Sequence, residues 1–159
     1  MNRFYGCVGD LSIQLAPWES TRRGLDPSVS MFLLKEELRF RSDIAGGDLV
    51  VPAGFFSDLA SIPKIAWTVF ADPDAPFIEL GAWIHDYLYG HVGRVPVFRG
   101  GVPSGSAALT RKRCDQILCF EAMPDLGAAT WQRRAVYGAL RIFGAGSFNT
   151  DPPGRRWGA

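Results

Sequence analysis

The residues most able to carry out chemistry are three polar side chains that lie inside otherwise apolar segments. His85 and Asp86 lie in AWIHDYLYG, and Asp115 lies in RKRCDQILCFEAM. A carboxylate beside a histidine fixes the tautomer of the imidazole and raises its basicity, which suits the histidine for general-base catalysis. The chain has no HExxH motif, no phosphate-binding glycine loop and no GxSxG motif, so these three residues are the main catalytic candidates.

The first two of these residues lie on a predicted helix. Apolar positions recur at helical spacing from Phe77 to Tyr89, with Pro76 in the first turn and Gly90 at the end. His85 lies beside the apolar stripe of this helix. A polar side chain at the edge of a core-facing stripe costs free energy unless it finds a partner.

The third candidate lies on a second predicted helix, which begins after Thr110 as N-cap and stops at Pro124. Asp115 faces inward, on the side of the helix that carries Leu118, Cys119 and Ala122. If the two helices pack antiparallel, Asp115 can reach one ring nitrogen of His85. Asp86 would then be available to a hard divalent cation.

Each candidate also has a structural explanation. A buried His85–Asp115 hydrogen bond can simply satisfy two polar groups, with the hydroxyl of Tyr89 satisfying a third. Asp58 and Ser61, in FFSDLASIP, fit a helix cap or an Asx turn before a proline, although they could also have a functional role. The sequence leaves both interpretations open.

The elements that must position these residues change character along the chain. The first half has the period of two of β-strands in MFLLKEELRF and LVVPAGFF, joined by a turn at Gly46 and Gly47, with a further short strand at 11–18. The Gly/Pro-rich segment 90–109 is predicted to be a loop, and 128–143 a third helix. Its apolar face is predicted to contain Trp131, Ala135, Leu140 and Phe143. The prediction is an α+β fold, with an N-terminal antiparallel β-meander packed against two or three C-terminal helices.

Length and composition predict one domain over residues 1–159, with a core at about 30–144 and an extended tail at 145–159. The formal net charge of +1 argues against a nucleic-acid partner. The longest apolar stretch is far below the ~20 residues of a transmembrane helix, and no signal peptide is recognisable. We therefore expect synthesis in a cytoplasm, with all three cysteines (Cys7, Cys114 and Cys119) reduced.

Four segments in order carry a resemblance to a known family. VPAGFFSDLASIP, AWIHDYLYG, CDQILCFEAM and WQRRAVYGALRIFG resemble a bacteriophage and prophage family, domain-of-unknown-function family 1353, over roughly residues 48–144. The resemblance implies a phage or prophage origin and a small α+β domain. It implies no established activity.

A more distant resemblance concerns the site. HDYLY and the later helix with its aspartate resemble the HDxxY and D helices of phospholipase A2 enzymes. This resemblance implies ester hydrolysis with His85 as general base, Asp86 as calcium ligand, and Tyr89 and Asp115 completing the network. The glycine-rich calcium loop of those enzymes has no counterpart here, and Asp58 could serve in its place. The HD-type phosphohydrolases are a poorer match, because they need a histidine upstream of His85.

Two functions remain open at this stage. The first is a bacteriophage-encoded, His/Asp-dependent and metal-assisted hydrolase, with calcium favoured over zinc, that acts on an ester or a host-envelope substrate during entry or lysis. The second is a non-catalytic structural component of the virion tail or baseplate. In the second case the arginine-rich faces and the tail around Trp157 would contact other virion proteins. Either protein would be made in the host cytoplasm and could be incorporated in the virion.

Overall fold

Two antiparallel sheets and a group of helices form the part of the chain that the computed structural model describes, which is residues 3–5, 12–24, 28, 30–59 and 76–149. The strands are β1 (Phe4–Tyr5), β2 (Ser12–Gln14), β3 (Phe32–Leu34), β4 (Leu38–Ser42), β5 (Gly47–Val51), β6 (Phe56–Ser57), β7 (Arg94–Arg99) and β8 (Val102–Ala108). The larger sheet has the order β1-β4-β5-β7-β8 and the smaller one the order β2-β3-β6. The predicted α+β class is confirmed.

One short helix lies near the N-terminus, and the other helices come after β6 in the chain. They are α1 (Pro17–Arg22), α2 (Pro76–Gly90), α3 (Arg111–Gln116), a π-helical segment (Ile117–Ala122), α4 (Met123–Asp125), α5 (Thr130–Phe143) and α6 (Ala145–Asn149). Helix α2 matches its predicted bounds, and the side chain of Thr110 caps α3 by accepting a hydrogen bond from the backbone N–H of Arg113. Pro124 does not stop the second helix, because it lies in the first turn of α4, where its missing N–H is not needed.

The segment MFLLKEELRF forms two strands rather than one. Leu34 and Leu38 are both fully buried, but the charged residues between them, at 35–37, are exposed and separate β3 from β4. Strand β3 pairs with β2 and β6, whereas β4 pairs with β1 and β5. One apolar pattern therefore supplies a strand to each sheet.

The prediction of a loop at 90–109 is wrong, because this segment forms the β7–β8 hairpin. Val95 and Val97 are buried and alternate with exposed neighbours, which is the period of a strand. Gly100 and Gly101 turn the chain with φ of 60° and 79°, which a glycine pair adopts without steric cost. The hairpin joins β5 in the larger sheet, so the two candidate helices are connected through the sheet rather than by a loop.

Helix α2 runs through the centre of the structure and packs closely against the π-helical segment. Residues 81–89 are all buried. A Cβ added at Gly81 would lie 2.8 Å from Cδ1 of Leu118, so a larger residue here would require the Leu118 side chain to shift. This close packing brings the side of α2 that carries His85 towards the helix that carries Asp115.

Helix α5 buries a different face from the predicted one. Val136 and Leu140, one turn apart, are fully buried, whereas Trp131 is 61% and Phe143 59% exposed. Of the four residues predicted to form the apolar face, only Leu140 is fully buried. The reason is that α5 contacts the core through its Val136–Leu140 side.

Several other predictions have a plain outcome. Cys114 and Cys119 are buried free thiols, and burial raises the pKa of Cys114 to about 12. Cys7, Ser61 and the tail around Trp157 lie outside the described residues. Within the described ranges, no helix is both long enough and apolar enough to cross a membrane.

Candidate functional site

Helix α2 buries three of the predicted site residues. His85 is completely buried, Tyr89 is 3% exposed and Asp86 is 5% exposed. His85 and Tyr89 lie one turn apart, so their rings face each other with centroids 4.0 Å apart. The rest of the helix consists mostly of buried apolar side chains, so these polar groups need partners from other elements.

Asp115 provides that partner at the end of α3. Its Oδ1 lies 3.2 Å from Nε2 of His85 and also accepts a hydrogen bond from the hydroxyl of Tyr89. Its Oδ2 accepts a hydrogen bond of 2.8 Å from Nη1 of Arg141. The structure thus brings together His85, Tyr89 and Asp115, the three residues predicted as catalytic, in one buried cluster.

Arg141 is the member of this cluster that sequence analysis missed. Its side chain is 32% exposed and reaches inward from the last turn of α5. The guanidinium of Arg111 donates to the carbonyl oxygens of Leu140 and Arg141, at 3.0 and 3.3 Å, and so holds this end of α5 against α3. Two features of the sequence could have identified Arg141 as the partner of Asp115. A buried carboxylate needs a cation, and Arg141 directly follows the apolar Leu140.

The cluster is arranged so that Asp115 carries the negative charge. Burial alone would raise the pKa of Asp115, but hydrogen bonds from His85, Tyr89 and Arg141 bring it below its usual value. Burial and the bond to Asp115 raise the pKa of Tyr89, so its hydroxyl stays protonated as a donor. An ionised carboxylate only accepts hydrogen bonds, so the proton of the neutral imidazole lies on Nε2.

The other ring nitrogen, Nδ1 of His85, is the unusual atom of the site. It is buried, and it has no hydrogen-bond partner among the residues that the structure describes. An unpaired buried polar atom costs about 1–3 kcal/mol, which a bound water or substrate atom would recover. With Nε2 protonated, Nδ1 carries the lone pair that can accept a proton.

Asp86 faces a different element, strand β6. The hydroxyl of Ser57 donates to Oδ2 of Asp86, and its oxygen accepts a hydrogen bond of 2.8 Å from the backbone N–H of Leu59. Leu59 has φ of 52°, a left-handed conformation that is uncommon outside glycine. The bond between Ser57 and Asp86 brings β6 into contact with α2. Asp58, the other predicted metal ligand, directly follows Ser57 and is half-buried. Ser57 is a contact that sequence analysis did not single out.

The predicted metal ligands are not part of a larger cluster of ligating side chains among the described residues. Within those ranges, no group of three or more His, Cys, Asp or Glu side chains could hold an ion. Asp86 and Ser57 supply a carboxylate and a hydroxyl, whereas calcium takes about 6–8 oxygen ligands. The calcium or zinc cofactor therefore stays a prediction, and the chemistry proposed below uses no step that needs it.

A second buried carboxylate, Glu121, lies in the π-helical segment and was not singled out from the sequence. Its Oε2 accepts a hydrogen bond of 2.6 Å from the hydroxyl of Ser42. Its Oε1 accepts bonds of 2.9 and 3.1 Å from the backbone N–H groups of Asp43 and Ile44. Arg3 lies 3.6 Å from the same oxygen. Glu121 therefore fastens the helical segment to the turn between β4 and β5.

Comparison with known proteins gives one match. The model of a family described as "Protein of unknown function (DUF1353)" matches residues 32–140, which is more than half of the chain and includes both carboxylate clusters apart from Arg3 and Arg141. No curated protein and no solved structure matches the chain.

Proposed function

As the chain belongs to the DUF1353 family, whose function is unknown, we propose that it is a hydrolase in which His85, oriented by Asp115, activates a water molecule for attack on an ester. The observation that carries this proposal is the environment of the imidazole. One ring nitrogen is held by a carboxylate that is itself held by two further donors, and the other ring nitrogen has no partner among the described residues.

The arrangement supplies what a general base needs. Asp115 fixes the ring and stabilises the imidazolium that forms when His85 accepts a proton. Tyr89 and Arg141 keep the carboxylate ionised and in place. General-base catalysis of this kind contributes about 10²–10⁴-fold to a rate.

The proposed reaction is a simple ester hydrolysis. Nδ1 of His85 takes a proton from water as the water oxygen bonds to the carbonyl carbon. The tetrahedral intermediate then collapses, the bond from carbon to the alcohol oxygen breaks, and the imidazolium returns its proton to the leaving oxygen. One ester and one water give one acid and one alcohol, with His85 regenerated.

The proposed substrate rests on the two sequence resemblances. A phospholipase A2-like network suggests a lipid ester, and a phage or prophage origin suggests the host envelope as its source, encountered during entry or lysis. The predicted role of Asp86 and Asp58 in binding a cation belongs to the same proposal. A cation there would polarise the ester carbonyl.

The experiment compares the wild-type chain with His85→Ala and His91→Ala. His91 is the matched control, because it is the only other histidine and its Nδ1 pairs locally with the carbonyl oxygen of Tyr87 at 2.8 Å. Hydrolysis of a short-chain phospholipid, dispersed as monomers, is measured with calcium and with a chelator, and peptidoglycan is assayed in parallel. We expect His85→Ala to lower the rate by about 10²–10⁴-fold and His91→Ala to leave it unchanged.

Two results would overturn the proposal. One is the absence of hydrolysis of any of these substrates by folded wild-type protein. The other is an equal rate in His85→Ala. Loss of the wild-type rate in chelator would support the cation, whereas an unchanged rate would exclude it and leave the His85–Asp115 proposal intact.

A second function is favoured by a specific observation, the complete burial of His85. Catalysis requires a water molecule to reach Nδ1, whereas a structural network requires no access. In the alternative, the cluster only makes the helices rigid, and the chain is a component of the virion tail or baseplate. Mass spectrometry of purified particles tests this alternative: the chain should be present in stoichiometric amounts, and its absence would exclude the virion role.

A further inference from the structure

The solvent-facing side of α5 carries a stripe of apolar residues. Trp131, Ala135, Gly138 and Ile142, here called the α5 stripe, follow one another at the spacing of a single helix face. Trp131 is 61% and Ile142 72% exposed, and a Cβ added at Gly138 would meet no atom within 4 Å. The buried side of the same helix, at Val136 and Leu140, lies opposite. The helix is therefore apolar on both sides, and only one side is covered by the described part of the chain.

The charged residues of α5 itself are of one sign. Helix α5 has three arginines and no acidic residue. Of the three, Arg134 is exposed, and it lies beside the stripe. Phe143, 59% exposed, adds a further apolar side chain at the end of the helix. Exposed Trp, Ile and Phe next to cations are the composition of a surface that enters the headgroup region of an anionic bilayer.

We propose that the α5 stripe docks this protein on an anionic phospholipid surface. The apolar side chains would enter the boundary between headgroups and acyl chains, and Arg134 would contact lipid phosphates. The inference goes beyond the proposed hydrolysis and does not depend on it, because binding can be measured without turnover.

A second copy of the chain is a poorer occupant for two reasons. A helix of 14 residues is about 21 Å long and about 10 Å across, so its outward face offers about 200 Å² per copy, against about 800 Å² per partner in a specific interface. Two copies would also bring like charges together. Nucleic acid would pair with the arginines but would leave Ile142 and Phe143 without an apolar partner.

The experiment is co-sedimentation of the full chain with vesicles. Vesicles of phosphatidylcholine alone are compared with an equimolar mixture of phosphatidylcholine and phosphatidylglycerol, at low and high salt. The test variants are the double variant Trp131→Ala/Ile142→Ala and the single variant Arg134→Glu. The matched control is Trp18→Ala, because Trp18 is 67% exposed on α1 and has Arg22 over its ring.

We expect the wild type to bind the anionic vesicles and to be released by salt. The double variant should bind about 100-fold more weakly and Arg134→Glu about tenfold more weakly, because apolar burial and charge attraction both contribute. Trp18→Ala should bind like the wild type. All these side chains are exposed, so thermal unfolding should be unchanged and should confirm that each variant is folded.

Three results would overturn the proposal. The first is no binding of the wild type to anionic vesicles. The second is an equal effect of Trp18→Ala and the double variant. The third is that the chain does not bind vesicles but binds another partner through the stripe. That partner would be a second copy, seen as a dimer in light scattering that Ile142→Ser dissociates, or a nucleic-acid fragment. Failure of hydrolysis in the assay above would leave this result unaffected.

Discussion

Two buried carboxylates lie six positions apart on the same run of helix and have different kinds of partners. Glu121 is bound by two backbone N–H groups and the hydroxyl of Ser42, with the guanidinium of Arg3 at 3.6 Å, and all of these groups hold their protons throughout the ordinary pH range. Asp115 is bound by an imidazole, a phenol and a guanidinium. The first set of partners only fixes a position, whereas the second contains an imidazole, which can act as a general base.

The comparison indicates how a purely structural carboxylate would differ from one that serves the proposed hydrolysis. Both are buried and both accept three or more hydrogen bonds, so burial and bond number do not separate them. The partners separate them, together with Nδ1 of His85, which has no hydrogen-bond partner among the described residues. The following predictions test this distinction, from the largest expected effect to the smallest.

The largest effect is expected from exchanging each carboxylate for its amide. Asp115→Asn can no longer stabilise the imidazolium or fix the tautomer of His85, so hydrolysis should fall by about 10²–10⁴-fold. Glu121→Gln should leave kcat unchanged in protein that is folded at the assay temperature. Steady-state kinetics of both variants measure this, and an equal loss of kcat would remove the distinction between the clusters.

The second effect is on stability and concerns Glu121. Glu121→Gln loses the charge that strengthens its bonds to Ser42 and the β4–β5 turn, so the free energy of unfolding should fall by about 2 kcal/mol. Urea denaturation measures the change. A variant as stable as the wild type would mean that the turn does not depend on Glu121.

The third prediction uses a matched pair of hydroxyl deletions. Tyr89→Phe and Ser42→Ala each remove one donor to a buried carboxylate, and each should lower the free energy of unfolding by about 1–3 kcal/mol. Only Tyr89→Phe should also lower the rate of hydrolysis. Denaturation and kinetics on the same samples test both halves, and a lower rate in Ser42→Ala would contradict the prediction.

The smallest effect is on the pH dependence of stability. The pKa of Asp115 is lowered in the folded protein, so its ionised form contributes stability above its unfolded pKa of about 3.9, and this stability is lost as the pH falls through the lowered value. The difference in unfolding free energy between wild type and Asp115→Asn should therefore shrink from pH 7 to pH 3. A constant difference would mean that Asp115 is not ionised in the folded state.

Predictions from the sequence succeeded where the signals were local. The bounds of α2 follow from its apolar period with Pro76 and Gly90, and the cap at Thr110 follows from its hydroxyl. His85 and Asp115 could be paired because both are polar residues on inward-facing sides of helices. The same local patterns were misassigned at the β7–β8 hairpin, where the glycine and proline content concealed the alternation around Val95.

The contacts that the sequence did not reveal join distant parts of the chain. Ser42 and Glu121 are 79 residues apart, and Ser57 and Asp86 are 29 residues apart. Helix α5 has three arginines, and its sequence does not show which of them contacts Asp115. Arg141 does so because of the way α5 packs on α3. Which polar residues meet depends on how the elements pack, and periodicity along one element carries no information about that.

The π-helical segment places these two carboxylates in a fixed rotational relation. A π-helix closes its turns with i→i+5 rather than i→i+4 hydrogen bonds, so this segment holds more residues per turn than an α-helix. If Phe120, which is 43% exposed, were deleted, the segment could close as an α-helix with little change in the direction of the chain beyond it. The wide turn is thus a place where the helix can lose a residue and keep its attachment to the sheet.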